Sequence, residues 1–417
     1  MRILYILPYS PCPPHFGGAL RIYHLLREMV RSHDVTVIMY GTPGEGELVR
    51  RAFDGRLNGI HTVTKPAKLS GLRKRWAQTR SLFGSASATT HAFYSEAMQQ
   101  TIDSVTAGST FDLIQSEGHS IGLFRVPCPG VPRVLDAQNV EYDNIHRMAR
   151  ASRSAVRRAF YAREYRKLYA EEKSVYEDQD ALLLTSSRDK MLMDADVPDV
   201  PKFVVPNGVD ASYFTPSDEP PEPHSLVFSG AMNYFPNADG MMYFLDDVFP
   251  LIRGHIPDIR LIIAGGGPPK WLLNRKGENV IVTGYVEDVR PYVRRSSIYV
   301  VPLRMGGGTR LKVLEALAME KPVVTTSVGC EGLNVRDRHS VLVADSPENF
   351  AASVIELIRT DALRQRLVTN GRDLIRAEYD WSVIGKSLDG VYASILSHHR
   401  ARRKPARRHE AAALTAS

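Results

Sequence analysis

Short runs of β-branched and other apolar residues alternate along this chain with longer segments whose apolar positions recur every three to four residues. The short runs predict strands at residues 3–7, 35–40, 113–115, 133–135, 181–185 and 203–205. A second series follows at 226–229, 260–264, 280–283, 298–301, 323–325 and 341–343, with helical periodicity between most of them. Nearly continuous apolar strands separated by amphipathic helices belong to parallel sheets covered on both faces. The expected class is therefore α/β with doubly wound, Rossmann-like sheets.

Between the two series, residues 215–224 hold four prolines in a polar setting, which excludes strand and helix interiors. This predicts a first domain over residues 1–210, a linker over 211–224 and a second domain over 225–380. A helix is expected over 381–398. Residues 399–417 carry Arg400, Arg402, Arg403, Lys404, Arg407 and Arg408 without apolar periodicity and are expected to be a disordered basic tail. No internal repeat is visible beyond the strand–helix rhythm.

A length of 417 residues suits two domains, and 43% hydrophobic with 24% charged residues describes a globular chain. Cys12, Cys128 and Cys330 are odd in number and far apart, which fits a reducing, cytoplasmic compartment and gives no metal-ligand spacing. The apolar start breaks at Pro8, so it reads as a first strand rather than a signal peptide, and no stretch has bilayer-spanning length. The net charge of +7 is concentrated in the tail and in two stretches, Lys68 to Arg80 and a helical segment from Arg147 to Lys173. No nucleic-acid motif accompanies these charges. Solvated faces are one reading of them, and peripheral contact with an anionic membrane surface is the other.

Candidate chemistry sits where strands end, because doubly wound sheets bind ligands at their carboxyl edges and two facing sheets create a cleft. Met305-Gly306-Gly307-Gly308-Thr309-Arg310 runs straight into a helix, and Glu315 shares the apolar stripe with Leu311 and Met319. Glycines allow close backbone approach, a helix start offers N–H groups to an anion, and a carboxylate on a buried stripe needs donors. A nucleotide's diphosphate and ribose would satisfy both; a plain turn with a solvated Glu is the alternative. Gly17 and Gly18 form a second such loop, which lacks the G-x-G-x-x-G fingerprint, and Tyr40 rather than an acid ends the next strand. His119, with Glu117 beside it, follows a strand and reads either as a sugar-hydroxyl partner or as a helix cap. Gly230, the Gly265-Gly266-Gly267 turn, and Gly284 with Tyr285 and Val286 complete the set.

The order of these motifs resembles the retaining glycosyltransferases of family 4, which have the GT-B fold, from Met1 to about Tyr379. The resemblance rests on Gly17-Gly18, His119, Val205-Pro206-Asn207-Gly208-Val209-Asp210, Ala264 to Pro268, Gly284-Tyr285-Val286, and Glu315 through Pro322, with a Gly-Gly-Gly-Thr-Arg-Leu-Lys donor loop. It implies a C-terminal helix crossing back to the first domain and transfer from a UDP- or GDP-sugar to a glycan or lipid-linked acceptor. No cofactor and no catalytic metal are implied. Glu315 would hold the ribose, Gly307, Gly308 and Thr309 the diphosphate, and His119 the donor sugar. Tyr285 and Val286 would lie beside the base, with Gly17, Gly18, Gly230 and Leu311 bordering the donor.

Two departures stand out: Gly307 replaces an acid common in the family, and the loop after residue 229 has no basic pair. Arg310 and Lys312 are the expected replacement cations. A nucleotide-sugar 2-epimerase of the same fold is the rival enzyme, and a non-catalytic nucleotide-sugar sensor on a membrane is the rival of another class.

Overall fold

The computed structural model describes residues 1–65, 93–151 and 154–413. These divide into two compact units, Met1–Pro206 with Gly385–Ser417, and Asn207–Ile384. In the first, β1 (Arg2–Leu7), β2 (Asp34–Tyr40), β3 (Gly59–Val63), β4 (Leu113–Glu117), β5 (Arg133–Asp136), β6 (Ala181–Leu184) and β7 (Lys202–Val204) form a seven-stranded sheet in the order β3-β2-β1-β4-β5-β6-β7. All neighbours are parallel, with Ile3 opposite Val35 on one side and Leu113 on the other. In the second, β8 (Ser225–Ser229), β9 (Arg260–Ala264), β10 (Val280–Gly284), β11 (Ile298–Val301), β12 (Val323–Thr325) and β13 (Leu342–Val343) form a parallel sheet in the order β10-β9-β8-β11-β12-β13. Both sheets reverse their winding beside their first strand, as doubly wound sheets do.

Burial explains why the strands were legible. Ile3 to Leu7 and Leu226 to Phe228 have no exposed surface, since helices cover both faces of each sheet. β3 escaped the sequence reading because Gly-Ile-His-Thr-Val is half polar and forms the sheet's edge, with only Val63 buried. Apolar clusters around Ile6, Ile38 and Ile114, and around Leu135, Leu182 and Leu184, fill the first unit. A single large cluster from Val209 to Tyr379 fills the second.

The connections differ from the sequence reading at three points. Val209 bridges Asp380, and Gly208 packs against Tyr379, Trp381 and Ile384, so residues 207–210 belong to the second unit, not the first. Their apolar contacts, rather than the prolines that follow, decide the boundary. The segment from Arg147 to Lys173 is not one helix but parts of two, Glu141–Ala151 and Ala155–Glu177. The C-terminal helix runs Trp381–Ala413, well into the expected disordered tail. Residues 400–413 hold five Ala and five Arg, strong helix formers that extend a helix already anchored upstream in spite of Pro405. From Gly385 on, that helix lies on the first unit, with Tyr392 donating to Gln115 Oε1 at 2.5 Å. The basic stretch from Lys68 to Arg80 lies outside the described residues.

Candidate functional site

In the second unit, loops carrying Gly230, Gly265 to Pro269, Gly284 to Val286, and Gly306 to Arg310 leave the carboxyl ends of β8, β9, β10 and β11. β8 and β11 are neighbours at the winding reversal, where such sheets bind ligands. Three of the loops are laced together: Gly230 N donates to Ala264 O at 2.9 Å, Met232 N to Gly266 O at 2.7 Å, and Gly265 N to Gly284 O at 3.1 Å. Gly265 has φ +157°, and a Cβ there would stand 1.9 Å from the Gly230 carbonyl oxygen, so only glycine permits this packing.

The loop after β11 feeds the helix Leu311–Ala318, whose first N–H groups face its glycines. Arg310, the residue before that helix, is buried and donates to the Gly307 carbonyl and, at 2.7 Å, to that of Gly308. Arg310, expected as a catalytic cation, holds two carbonyls of its own turn through Nη1. Thr309 Oγ1 is buried with no hydrogen-bond partner among the described residues. Leu311 packs against the core and Val286 is half-buried. Tyr285 is 82% exposed alongside Gly266 and presents an open ring face.

Glu315 and Lys312 are both half-buried on this helix. Burial pushes the Glu315 carboxyl up to about 7, with Lys312 opposing. Burial pushes the Lys312 ammonium down to about 7, with Glu315 opposing and Arg310 reinforcing. Lys312 Nζ donates to Asn237 Oδ1 at 3.0 Å and stands 4.1 Å from the centre of the Phe228 ring. Gly230, Gly307, Gly308, Thr309, Lys312 and Glu315 thus gather on one sheet edge, as their order along the chain suggested. The arrangement offers backbone donors and one ammonium to an anion, with a carboxyl one turn further for hydroxyl groups.

Gly17, Gly18 and His119 lie in the other unit, at the matching edge of its own sheet. Gly17 and Gly18 open the helix Gly17–Ser32, whose cap residue Phe16 makes no side-chain bond. Arg21 on that helix pairs with Asp136 at 2.7 Å, and both side chains are almost wholly buried. Glu117 accepts from Tyr5, from Gln115 Nε2 at 3.1 Å and from Gln138 Nε2 at 2.6 Å. Burial and the Asp136 charge push its carboxyl up to about 8 despite Arg21. Glu117 is thus an internal strut, not a group presented to a ligand.

His119 begins a single helical turn at the end of β4 and is 5% exposed. Its Nδ1 lies 3.2 Å from Glu172 Oε1, while Nε2 is buried with no hydrogen-bond partner among the described residues. Burial pushes the ring down to about 4, although Glu171 pulls it upward. The imidazole is therefore neutral in the folded protein. Because its folded value lies below the ordinary 6.5, the native state resists protonation, and stability present above pH 6.5 is lost as pH falls towards 4. Roughly 3 kcal/mol is at stake from the size of that shift. Urea titrations from pH 7 to 4 will show this loss in the native chain and most of it absent in His119→Gln.

The sequence reading missed Asn237, Gln138, Tyr9 and Glu172. None belongs to a glycine loop, and their roles come from partners distant in the chain: Lys312, Glu117, Gln138 and His119 respectively. The one local sign was Pro236-Asn237 at the start of a helix.

Comparison with known proteins gives these loops a context. Residues 223–360 match the family described as Glycosyl transferases group 1. A phosphatidyl-myo-inositol mannosyltransferase of Mycobacterium leprae is 28% identical over 203 residues, covering 46% of this chain and 53% of its own. The chain thus spans about half the length of that curated relative. Among solved structures, a sucrose-phosphate synthase from Thermosynechococcus elongatus superposes with a TM-score of 0.66 at 15% identity, over 95% of this chain and 100% of its own. The Anabaena protein Alr3699/HepE in complex with UDP gives a TM-score of 0.64 at 11% identity, over 94% and 100%. These likenesses establish the GT-B fold.

Proposed function

We propose that this chain is a glycosyltransferase that moves a sugar from a nucleotide-sugar donor to an acceptor hydroxyl with retention at the anomeric carbon, in polysaccharide or glycolipid synthesis. The observation that carries the reading is Glu315 standing one turn inside the helix that the glycine loop feeds, with Lys312 between them. This is a ribose-and-diphosphate arrangement in residue type and spacing. The match over residues 223–360 and the mannosyltransferase relative support transfer, and the UDP complex of a structure with the same fold supports a nucleotide donor.

In this reading the glycine-loop N–H groups and the start of the helix they feed take up charge as the sugar–phosphate bond breaks with oxocarbenium character. The diphosphate leaves, and one of its oxygens accepts the acceptor's proton, so no separate strong base is required. No resident metal or cofactor is assigned. Among the described residues no helix is long and apolar enough to cross a membrane. Exposed Val156 and Phe160 share one face of the helix Ala155–Glu177 with exposed Arg163, a face suited to a peripheral encounter with anionic lipid, which fits a lipid-linked acceptor.

The test is incubation with UDP- and GDP-sugars, with and without phosphatidylinositol vesicles, while nucleoside diphosphate release and anomeric configuration are followed, with and without EDTA. Release stimulated by acceptor, giving a product with the donor's own anomeric configuration whether or not chelator is present, is the expected result. Conversion of the donor to its 2-epimer, or binding without turnover, would overturn the proposal in favour of an epimerase or a sensor.

A further inference from the structure

Four cations that border the second unit's glycine loops are unequally free to meet an anion. Arg304 holds Asp239 at 2.7 Å, Arg290 holds Asp288 at 2.8 Å, and Arg310 is fastened to the carbonyls of its own loop. Lys312 has no carboxylate within ion-pair distance among the described residues, and its head group has been brought to the floor of the β8 loop. Gly230 makes room for it: at φ +148°, a Cβ there would lie 2.7 Å from Lys312 Nζ and 2.8 Å from Asn237 Nδ2.

Asn237 is 6% exposed, and its Nδ2 donates to Ala231 O at 2.9 Å. That bond fixes which end of the amide faces inward, so Oδ1 meets the ammonium at 3.0 Å. The Phe228 face attracts the same cation from 4.1 Å. One acceptor and one ring face leave part of the ammonium's three-donor capacity for a ligand. Burial without a full counter-charge is also what pushes Lys312 down to about 7. An arriving dianion would relieve that cost.

We propose that Lys312, aimed by Asn237 as a positioning residue, is the side chain that neutralises the diphosphate of a nucleotide donor, acting from the helix in place of a cation on the β8 loop. The assignment rests on the glycosyltransferase reading and says which residue of that site carries the charge.

Calorimetric titration of the full-length protein with UDP and GDP, and with uridine and guanosine as phosphate-free probes, tests it. Loss of a charge-assisted contact predicts that Lys312→Met weakens the preferred diphosphate about 10- to 100-fold while leaving the matching nucleoside unchanged. Lys312→Arg restores part of the loss, and Asn237→Ala weakens the diphosphate about 3- to 10-fold with the same selectivity. A purely structural defect would weaken nucleoside and diphosphate alike, and that result overturns the assignment. Equal diphosphate affinity in Lys312→Met and wild type overturns it while leaving the donor reading intact. Failure of the wild-type protein to bind either diphosphate overturns both.

Discussion

Replacing Glu315 with glutamine will lower kcat/KM about a hundredfold or more without lowering the unfolding temperature. In the proposed site two ribose hydroxyls donate to one carboxylate in charge-assisted bonds, each worth about 1.5–3 kcal/mol, and an amide offers one acceptor where two are needed. The stability half of the prediction has its own cause. Burial raises the Glu315 carboxyl to about 7, so its ionised form opposes folding at any pH above the ordinary carboxyl value. The neutral amide escapes that cost, as expected of a group kept for binding rather than for stability.

The pH profile separates the two roles of the helix. In the proposed donor site Glu315 acts ionised and Lys312 protonated; burial brings both to about 7, so kcat/KM is expected to be bell-shaped with coupled limbs. Glu315→Gln will lack the acid limb. An unchanged kcat/KM in this variant, or a surviving acid limb, would sink the ribose assignment.

The second large effect is expected in the other unit and on stability. Arg21→Met will destabilise the first unit by about 3–5 kcal/mol, because it strands a buried carboxylate. Arg21 Nε and Nη2 lie 2.9 and 2.7 Å from Asp136 Oδ2, and Nη1 donates to Pro206 O at 3.1 Å. Glu117 titrates near 8 even with Arg21 present, chiefly through burial and the Asp136 charge. Without the guanidinium, two buried carboxyls face each other. For a unit of this size the lower-melting transition will move down by roughly 10 °C. A variant that melts with the native chain at pH 7.5 would show that the pair contributes nothing net.

These two sites also mark how far a sequence can be read. Strands such as residues 3–7 and 298–301 are legible because parallel strands buried on both faces leave an uninterrupted apolar run, a property of the segment alone. Gly307, Gly308 and Glu315 are legible for a similar reason: the loop, the helix it feeds and the acid one turn later lie within nine residues. β3 is the counterexample, since an edge strand needs only one buried residue in five and leaves no pattern.

What the residues could not disclose is which long-range partner claims each polar head. Arg310 and Lys312 are two positions apart and equally basic, yet one closes on its own loop and the other crosses to Asn237 and the β8 loop. Helix direction separates them, and Gly230 leaves the space. Likewise Glu117 and Glu315 are both acids beside candidate ligand loops, one ending a strand and one on a helix. Three internal donors make the first a strut, while the second stands half-open beside a lone ammonium. Local pattern dictates the backbone because its hydrogen bonds and apolar periodicity are short-range. The charge state and availability of a side chain belong to the packed fold, because they depend on what lies within a few ångströms in space rather than along the chain.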